Sequence, residues 1–371
     1  MSGSSISSAR SNAARLPRAR SCCSRFEIES RAMETINMLL PPLEAWVATI
    51  FARAGLGEDD ARLAARRLLL ADITGVRTHG IARLPSYWRQ LARRGLNPRP
   101  DIKCGWHGTV LVIDADLGLG QIVGPKALAL AMDALGPTRP FVPFLIRNAG
   151  HLGAVGSHLL DVAESGRVGF LSQVTQPVMA PGGATRPAIG NNPIAFAAPR
   201  PDGPPLLIDF AMSNVARGKI HVALRDGLPI PEGWAIDAEG RPTTDPTAAL
   251  AGSILPAAGH KGLALAMIVE VLAGVLTGAR PLLSEGGAPG GVGAFGFVFD
   301  PAALIGKDAF DQNMQAWTQR YLAAVGGNGR IPGERAAELR AQADQVGIAI
   351  ERNLFEQLAE LGREGGAVLP A

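Results

Sequence analysis

Three of the chain's six histidines are set among glycines, and each has neighbours suited to chemistry on a small anionic molecule. His79 lies in Thr78-His79-Gly80, with Arg83 four residues later. An imidazole exchanges protons near neutral pH, and a guanidinium grips a carboxylate through two parallel hydrogen bonds. The pair therefore suits a carbonyl substrate that also carries a carboxylate. Arg83 would hold the acid while His79 passes a proton to the oxygen that becomes a hydroxyl. A solvated histidine–arginine pair at a helix entry would give the same spacing.

His151 sits in Gly150-His151-Leu152-Gly153, after an apolar strand. Glycines on both sides let the backbone approach a ligand, and strand-to-helix junctions are where α/β sites gather. Gly259-His260-Lys261-Gly262 opens a long apolar helix. That places Lys261 beside free helix-terminal amides, a sound anchor for a phosphate or other anion. The GxxxxGK[ST] loop of nucleotide triphosphatases is absent. Asp209-Phe210-Ala211-Met212-Ser213 ends another apolar strand, which makes Asp209 either the edge of a site or a helix cap. His107 and His221 are read as surface or capping residues. His151 and His158 share a face but supply only two ligands, and no HxH, HExxH or cysteine cluster joins them. No metal site is expected.

These residues need elements to position them. After Pro41-Pro42, Leu43, Val47, Ile50, Phe51 and Ala54 follow a helical spacing, ended by Gly55 and Gly57. A second helix is predicted from about Asp59, with Ala61, Ala64, Ala65, Leu68 and Leu69 inward, and a third from about Leu84 to Arg93. From about residue 105 the texture changes to β-rich runs: Thr109–Ile113, Phe141–Ile146, Val168–Val174, Pro193–Ala197 and Leu206–Phe210. Later come a helix over Lys261–Leu276, a glycine-rich loop at Glu285–Gly293 and a strand at Ala294–Phe299. Helices near 306–324 and 333–344, a strand at Val346–Ile350 and a last helix close the chain. The expected class is mixed α/β (α+β). A helical N-terminal lobe over 33–104 would pack with C-terminal helices in 300–371, around a sheet-based domain over 105–299.

The bulk numbers agree with an ordinary globular enzyme: 371 residues, 47% hydrophobic and 19% charged. The formal charge of +3 is unevenly placed. Residues 1–32 carry six arginines against two glutamates, and the rest of the chain has 30 basic and 31 acidic residues. A nucleic-acid partner would want its basic patch on the folded domain, so none is expected. No apolar run approaches a membrane span. The first 32 residues, rich in serine and arginine, imitate an organelle transit peptide. The plainer expectation is an upstream start, with the working protein beginning near Met33. Setting that segment aside removes Cys22 and Cys23, and Cys104 alone remains, which fits a reducing, cytoplasmic setting.

Gly118-Leu119-Gly120-Gln121-Ile122-Val123-Gly124 looks like a dinucleotide fingerprint after a strand. The spacing is GxGxxxG, however, and the next strand ends in Arg147-Asn148. An NAD-type Rossmann site wants an acidic residue there for the ribose hydroxyls. Arg147 could meet a 2′-phosphate instead, but the glycines read better as a tight strand-to-helix turn.

Taken in order, the motifs resemble the malate/L-lactate dehydrogenase family, which includes ureidoglycolate and sulfolactate dehydrogenases, diketogulonate reductase and the piperideine/pyrroline-2-carboxylate reductases. The matching pieces are Thr78-His79-Gly80-Ile81-Ala82-Arg83, Asn148-Ala149-Gly150-His151-Leu152-Gly153, Ala180-Pro181-Gly182-Gly183 and Gly190-Asn191-Asn192-Pro193. They continue through Asp209–Ser213, Gly218-Lys219, Pro242-Thr243-Thr244-Asp245, Gly259-His260-Lys261-Gly262 and Pro332-Gly333-Glu334. The resemblance implies a homodimer, NAD or NADP on a non-Rossmann scaffold, and a small carboxylate substrate. It implies that His79 or His151 donates the proton, that Arg83 binds substrate beside Thr78, and that Thr175, Asp209, Phe210, Ala211, Met212, Ser213, His260, Lys261, Gly262, Gly333 and Glu334 contact the cofactor.

This chain departs from the family at several positions. Thr78 stands for the usual serine, Ala149 and Leu152 for serine and phenylalanine, and Asn191 for threonine. These leave the substrate open. The expected reaction is hydride transfer between NAD(P)H and a 2-oxo/2-hydroxy acid. The alternatives are reduction of a cyclic imino acid, or a non-catalytic ligand-binding protein on the same scaffold.

Overall fold

The computed structural model describes residues 34–278, 291–327 and 329–370. The segment 1–32, with Cys22 and Cys23, and residues 285–290 of the glycine-rich loop lie outside them.

Strand β1 (Thr35–Met38) leads into helix α1 (Leu40–Arg53), whose prolines occupy the first turn, where a missing N–H is harmless. Helix α2 (Glu58–Ile73) follows; after two short 3-10 turns, Arg77–His79 and Ile81–Arg83, helix α3 (Leu84–Ala92) completes the front. Their apolar stripes close one core, with Val47, Ile50, Phe51, Leu68 and Leu84 fully buried. The end of the chain joins it: β14 (Ile348–Glu351) pairs with β1, and α12 (Arg352–Glu364) contributes Leu358 and Leu361.

The middle of the chain runs β2 (Lys103–His107), β3 (Val110–Asp114), α4 (Gly120–Asp133), β4 (Phe141–Ala149), α5 (Val155–Glu164) and β5 (Val168–Gln173). Short strands β6 (Pro177–Met179) and β7 (Ile189–Gly190) precede β8 (Ile194–Ala198) and β9 (Leu206–Phe210). Then come α6 (Arg217–Arg225), β10 (Ala235–Ile236), β11 (Pro242–Thr243), α7 (Pro246–Ala251), β12 (Ser253–Ile254) and α8 (His260–Val269). Strand β13 (Val292–Phe299), α9 (Pro301–Ile305), α10 (Lys307–Val325) and α11 (Glu334–Val346) lead back to β14.

Seven strands form the main sheet in the order β2-β3-β4-β13-β5-β8-β9. Only β3 and β4 pair in parallel, and every other neighbour is antiparallel. A Rossmann sheet is mostly parallel, so the non-Rossmann expectation holds. Because β13 and β8 run the opposite way, β4, β5 and β9 share one direction. Their C-terminal ends meet at one edge of the sheet, and the functional motifs collect there. One face of the sheet packs on α4 and α5 through Ile113, Val142, Phe144, Ile146 and Leu171. The other carries a ladder of Phe141, Phe170, Phe295, Phe297 and Phe299, neighbouring rings 4.5–6.4 Å apart. A second sheet, β11-β10-β12-β6-β7, packs with α6 and α8.

Three details differ from the sequence reading. Strand β2 is exposed along its whole length, so it shows no buried face for a pattern to reveal. The helix expected over Lys261–Leu276 begins one residue earlier and widens into a π turn over Glu270–Val275. Val346 still belongs to α11, which Gly347 ends with φ +80°, so the strand starts at Ile348.

Candidate active site

His79 and His151 are brought together, with ring centroids 5.6 Å apart. His79 rides on the first 3-10 turn, and its Nδ1 lies 2.9 Å from the hydroxyl of Thr78. Arg83 reaches back so that its Nε donates to the Thr78 carbonyl at 3.0 Å. The guanidinium is exposed and pairs with no carboxylate among the described residues. The turn is pinned from beneath by Asp72, at the end of α2, whose carboxylate accepts from Ile81 N at 2.6 Å.

The loop that carries His151 is held at four backbone points. Gly150 N donates to Gly118 O at 2.8 Å. The buried amide of Gln173 donates to Gly150 O at 3.3 Å and accepts from Leu152 N at 3.1 Å. His158, also buried, sits with Nε2 2.7 Å from Leu152 O. The imidazole of His151 is set by Tyr87, whose hydroxyl lies 3.0 Å from Nδ1.

The GxGxxxG run serves this loop. A Cβ on residue 120 would stand 2.1 Å from His151 O, and one on residue 124 would stand 3.1 Å from the His158 ring. Gly118 supplies the carbonyl that holds Gly150. The resemblance to a dinucleotide fingerprint is therefore explained by a close approach of backbone to backbone.

Both imidazoles hold their protons weakly. Crowding by protein, and then the Arg83 charge, lowers His79. The same crowding lowers His151, aided by His79, Arg83 and His158. Both rings are therefore neutral at pH 7.

A second patch adjoins the histidines at the same sheet edge. Beyond β5, Thr175 donates from its hydroxyl to Asn191 Oδ1 at 2.8 Å and from its backbone N to Asn192 Oδ1 at 3.0 Å. Met212 N donates to Asn191 O, and Ala257 N to Met212 O, each at 2.8 Å. Gly262 completes the stitch, since a Cβ there would lie 2.3 Å from Ala257 O. Thr175, Met212, Ser213 and Gly262 are thus contiguous, and His260 and Lys261 stand exposed at the start of α8. That helix has no side-chain cap, and Lys261 is in no ion pair among the described residues. A lysine at a helix N-terminus, where the helix dipole favours negative charge, fits the pyrophosphate of a dinucleotide.

Other expected residues are placed differently. Asp209 accepts from Gly156 N at 2.8 Å, so it caps α5 from a neighbouring strand. Phe210 is exposed at the end of β9 and Ala211 is half-buried. Gly333 and Glu334 lie at the opposite end of β9 from Met212, roughly 16 Å away at a strand's rise per residue. Leu207 N donates to Pro332 O at 2.9 Å, and Glu334 pairs with the buried Arg200 at 2.8 Å. The structure gives these two residues bonds within the fold and does not bring them to the histidine pair.

The two departures in the second motif are both buried. Ala149 and Leu152 are both 1% exposed and sit in the core under the sheet. Thr78 does face outward, toward Gly218 of α6.

A sequence model described as malate/L-lactate dehydrogenase matches residues 40–359. The chain belongs to the malate/L-lactate dehydrogenase family. It is 34% identical to a Δ1-pyrroline-2-carboxylate reductase of Pseudomonas fluorescens over 88% of this chain and 99% of that one. A malate dehydrogenase of Pyrococcus horikoshii is 32% identical, over 87% and 94%. The solved structure of sulfolactate dehydrogenase from Methanocaldococcus jannaschii superposes with a TM-score of 0.81 at 33% identity, covering 90% of this chain and 98% of that one. As a member of this family the chain is an NAD(P)-dependent oxidoreductase.

Sequence reasoning missed Asp72, Tyr87, Gln121, Gln173 and Asn192, all buried. For two of them a signal existed. Asp72 continues the inward stripe of α2 four residues after Leu68, and Tyr87 follows Arg83 by one helical turn. A polar group on an apolar stripe needs a partner.

Proposed function

We propose that this member of the malate/L-lactate dehydrogenase family reduces a 2-oxo carboxylic acid to the 2-hydroxy acid, and the reverse. The observation that carries the reading is the pair of imidazoles beside an arginine with no acidic partner among the described residues. Arg83, flanked by Thr78, holds the substrate carboxylate and orients the carbonyl between the rings. The cofactor supplies the hydride when bound, held by Thr175, Met212, Ser213, His260, Lys261 and Gly262. One of the two imidazoles meets the oxygen that becomes the hydroxyl, and the negative substrate raises the proton affinity of both.

The test is the loss of NADH or NADPH absorbance with pyruvate, oxaloacetate, 3-sulfopyruvate and piperideine-2-carboxylate. Turnover of an oxo acid, lowered by about a hundredfold or more in His151→Gln, is the expected result. Silence across the panel with both cofactors would overturn it. Turnover of the cyclic imine alone favours the second reading, which the pyrroline-2-carboxylate relative supports.

We also infer a homodimer. Downstream of Lys261 the same helix exposes Met267, Ile268, Val271, Val275 and Leu276, with Val275 67% exposed. A monomer rarely leaves such a stripe in water, and a second copy laid on it would bring its own surface close to the cofactor patch. Light scattering should give twice the chain mass, and Val271→Arg should halve it. No helix of the described residues is long and apolar enough to cross a membrane. The exposed, free Cys104 suits a reducing cytoplasm, where we place the protein.

A further inference from the structure

Two buried groups, Gln121 and Tyr87, form a hydrogen-bonded chain that ends on His151. Tyr87 is 2% exposed, and its hydroxyl lies 3.0 Å from His151 Nδ1. Gln121, equally buried, donates from Nε2 into that hydroxyl at 3.1 Å. A phenol has one hydrogen to give and lone pairs to receive. With the oxygen already accepting from Gln121, the phenolic hydrogen has one acceptor within reach among the described residues, which is Nδ1. Were Nδ1 protonated instead, two donors would point at one oxygen and the phenol's hydrogen would be buried with no acceptor. The opposite amide orientation is no better. Gln121 Oε1 has no partner, and swapping the amide would strand both of its hydrogens in that place. Residue 153 is fitted to this arrangement: Gly153 has φ +79°, and a Cβ there would stand 2.7 Å from Gln121 Nε2.

We propose that Gln121 and Tyr87 fix neutral His151 in its Nε2-protonated tautomer, making Nε2–H the group offered to the substrate. Tyr87 is then a positioning residue, acting only through the ring of His151. The inference rests on the reading that His151 faces the substrate. It adds that, before substrate arrives, this imidazole is a hydrogen-bond donor, ready to polarise a carbonyl oxygen or an imine nitrogen. His79 differs, because the hydroxyl at its Nδ1 belongs to exposed Thr78 and is free to turn either way.

The experiment is a long-range ¹H–¹⁵N correlation spectrum of the whole protein labelled in its histidines, at pH 7.5, with the His151 signals identified by their loss in His151→Gln. The expected pattern is a protonated Nε2 with a bare Nδ1. Tyr87→Phe should convert it to a mixture of tautomers and lower kcat by at least about tenfold, with the Kd for NADH unchanged. A protonated Nδ1 in the wild type, or a tautomer unchanged in Tyr87→Phe, overturns the proposal. The spectrum needs no substrate, so its failure is separable from that of the oxo-acid reading. An inactive enzyme with the expected tautomer sinks only the latter.

Discussion

The carboxyl group of Asp72 occupies the space that a side chain on residue 80 would need. An ideal Cβ at Gly80 would stand 2.1 Å from Asp72 Oδ2. Because Asp72 is buried and already bonded to Ile81 N, neither partner can move aside without releasing the turn that carries His79. Gly80→Ala is therefore expected to lower kcat/KM by about a hundredfold and to reduce the melting temperature. Steady-state kinetics and calorimetry on the variant check both.

Asp72 also predicts a pH dependence of stability. Burial pushes its carboxyl up to about 7, against the opposing pull of Ile81 N–H and Arg77. A group whose folded pKa is raised binds its proton more tightly when folded. Its contribution is thus full below about pH 4 and is lost as pH rises through 7. Three pK units amount to roughly 4 kcal/mol at most. The lowered histidines act in the opposite sense, weakening the fold as pH falls below their unfolded value of 6.5. Asp72→Asn keeps an acceptor for Ile81 and removes the ionisation. Urea titrations should show the variant gaining on the wild type by about 1 kcal/mol or more between pH 5 and pH 8. An equal difference at both pH values contradicts this.

Gln173→Leu keeps the volume of the side chain while orphaning Gly150 O and Leu152 N. Two buried backbone groups without partners cost roughly 2–5 kcal/mol together. Denaturant midpoints measure that loss, and kcat should fall with it because the His151 loop loses its central clamp.

Arg83→Lys keeps the charge but removes the two-pronged grip and the Nε bond to Thr78. KM for the oxo acid is expected to rise about tenfold, while the Kd for NADH, read by fluorescence, stays the same. A shift in cofactor affinity instead would move Arg83 to the other half of the site.

Asp209→Ala removes the acceptor at the start of α5. A lost cap costs about 1 kcal/mol, visible as a lower melting temperature. If Asp209 acts only as a cap, the affinity for NADH changes no more than the stability requires. A tenfold or greater loss of affinity would restore it to the cofactor contacts.

The sequence made some of this site legible and hid the rest for physical reasons. His79, Arg83 and His151 stand out because glycines punctuate them, and the helices around them announce themselves by apolar spacing. That the two histidines meet is invisible in the chain, since 72 positions separate them and the sheet order decides the encounter. The residues that fix them are hidden differently. Tyr87 and Gln121 are polar groups on helices whose inward faces are otherwise apolar, and Gln173 ends a strand that reads as plain core. Glu334 is a different case: its motif singled it out in the sequence, and in this fold it pairs with a buried arginine.

The three glycines of GxGxxxG carry one more implication. A loop that bears a reactive ring must usually choose between being exact and being able to move. Here the loop takes its shape from the bare face of α4, as a casting takes the shape of its mould, and keeps little slack of its own. Motion needed to admit substrate or release product must then fall to segments outside that mould, such as α6 opposite Thr78, while His151 stays the fixed point.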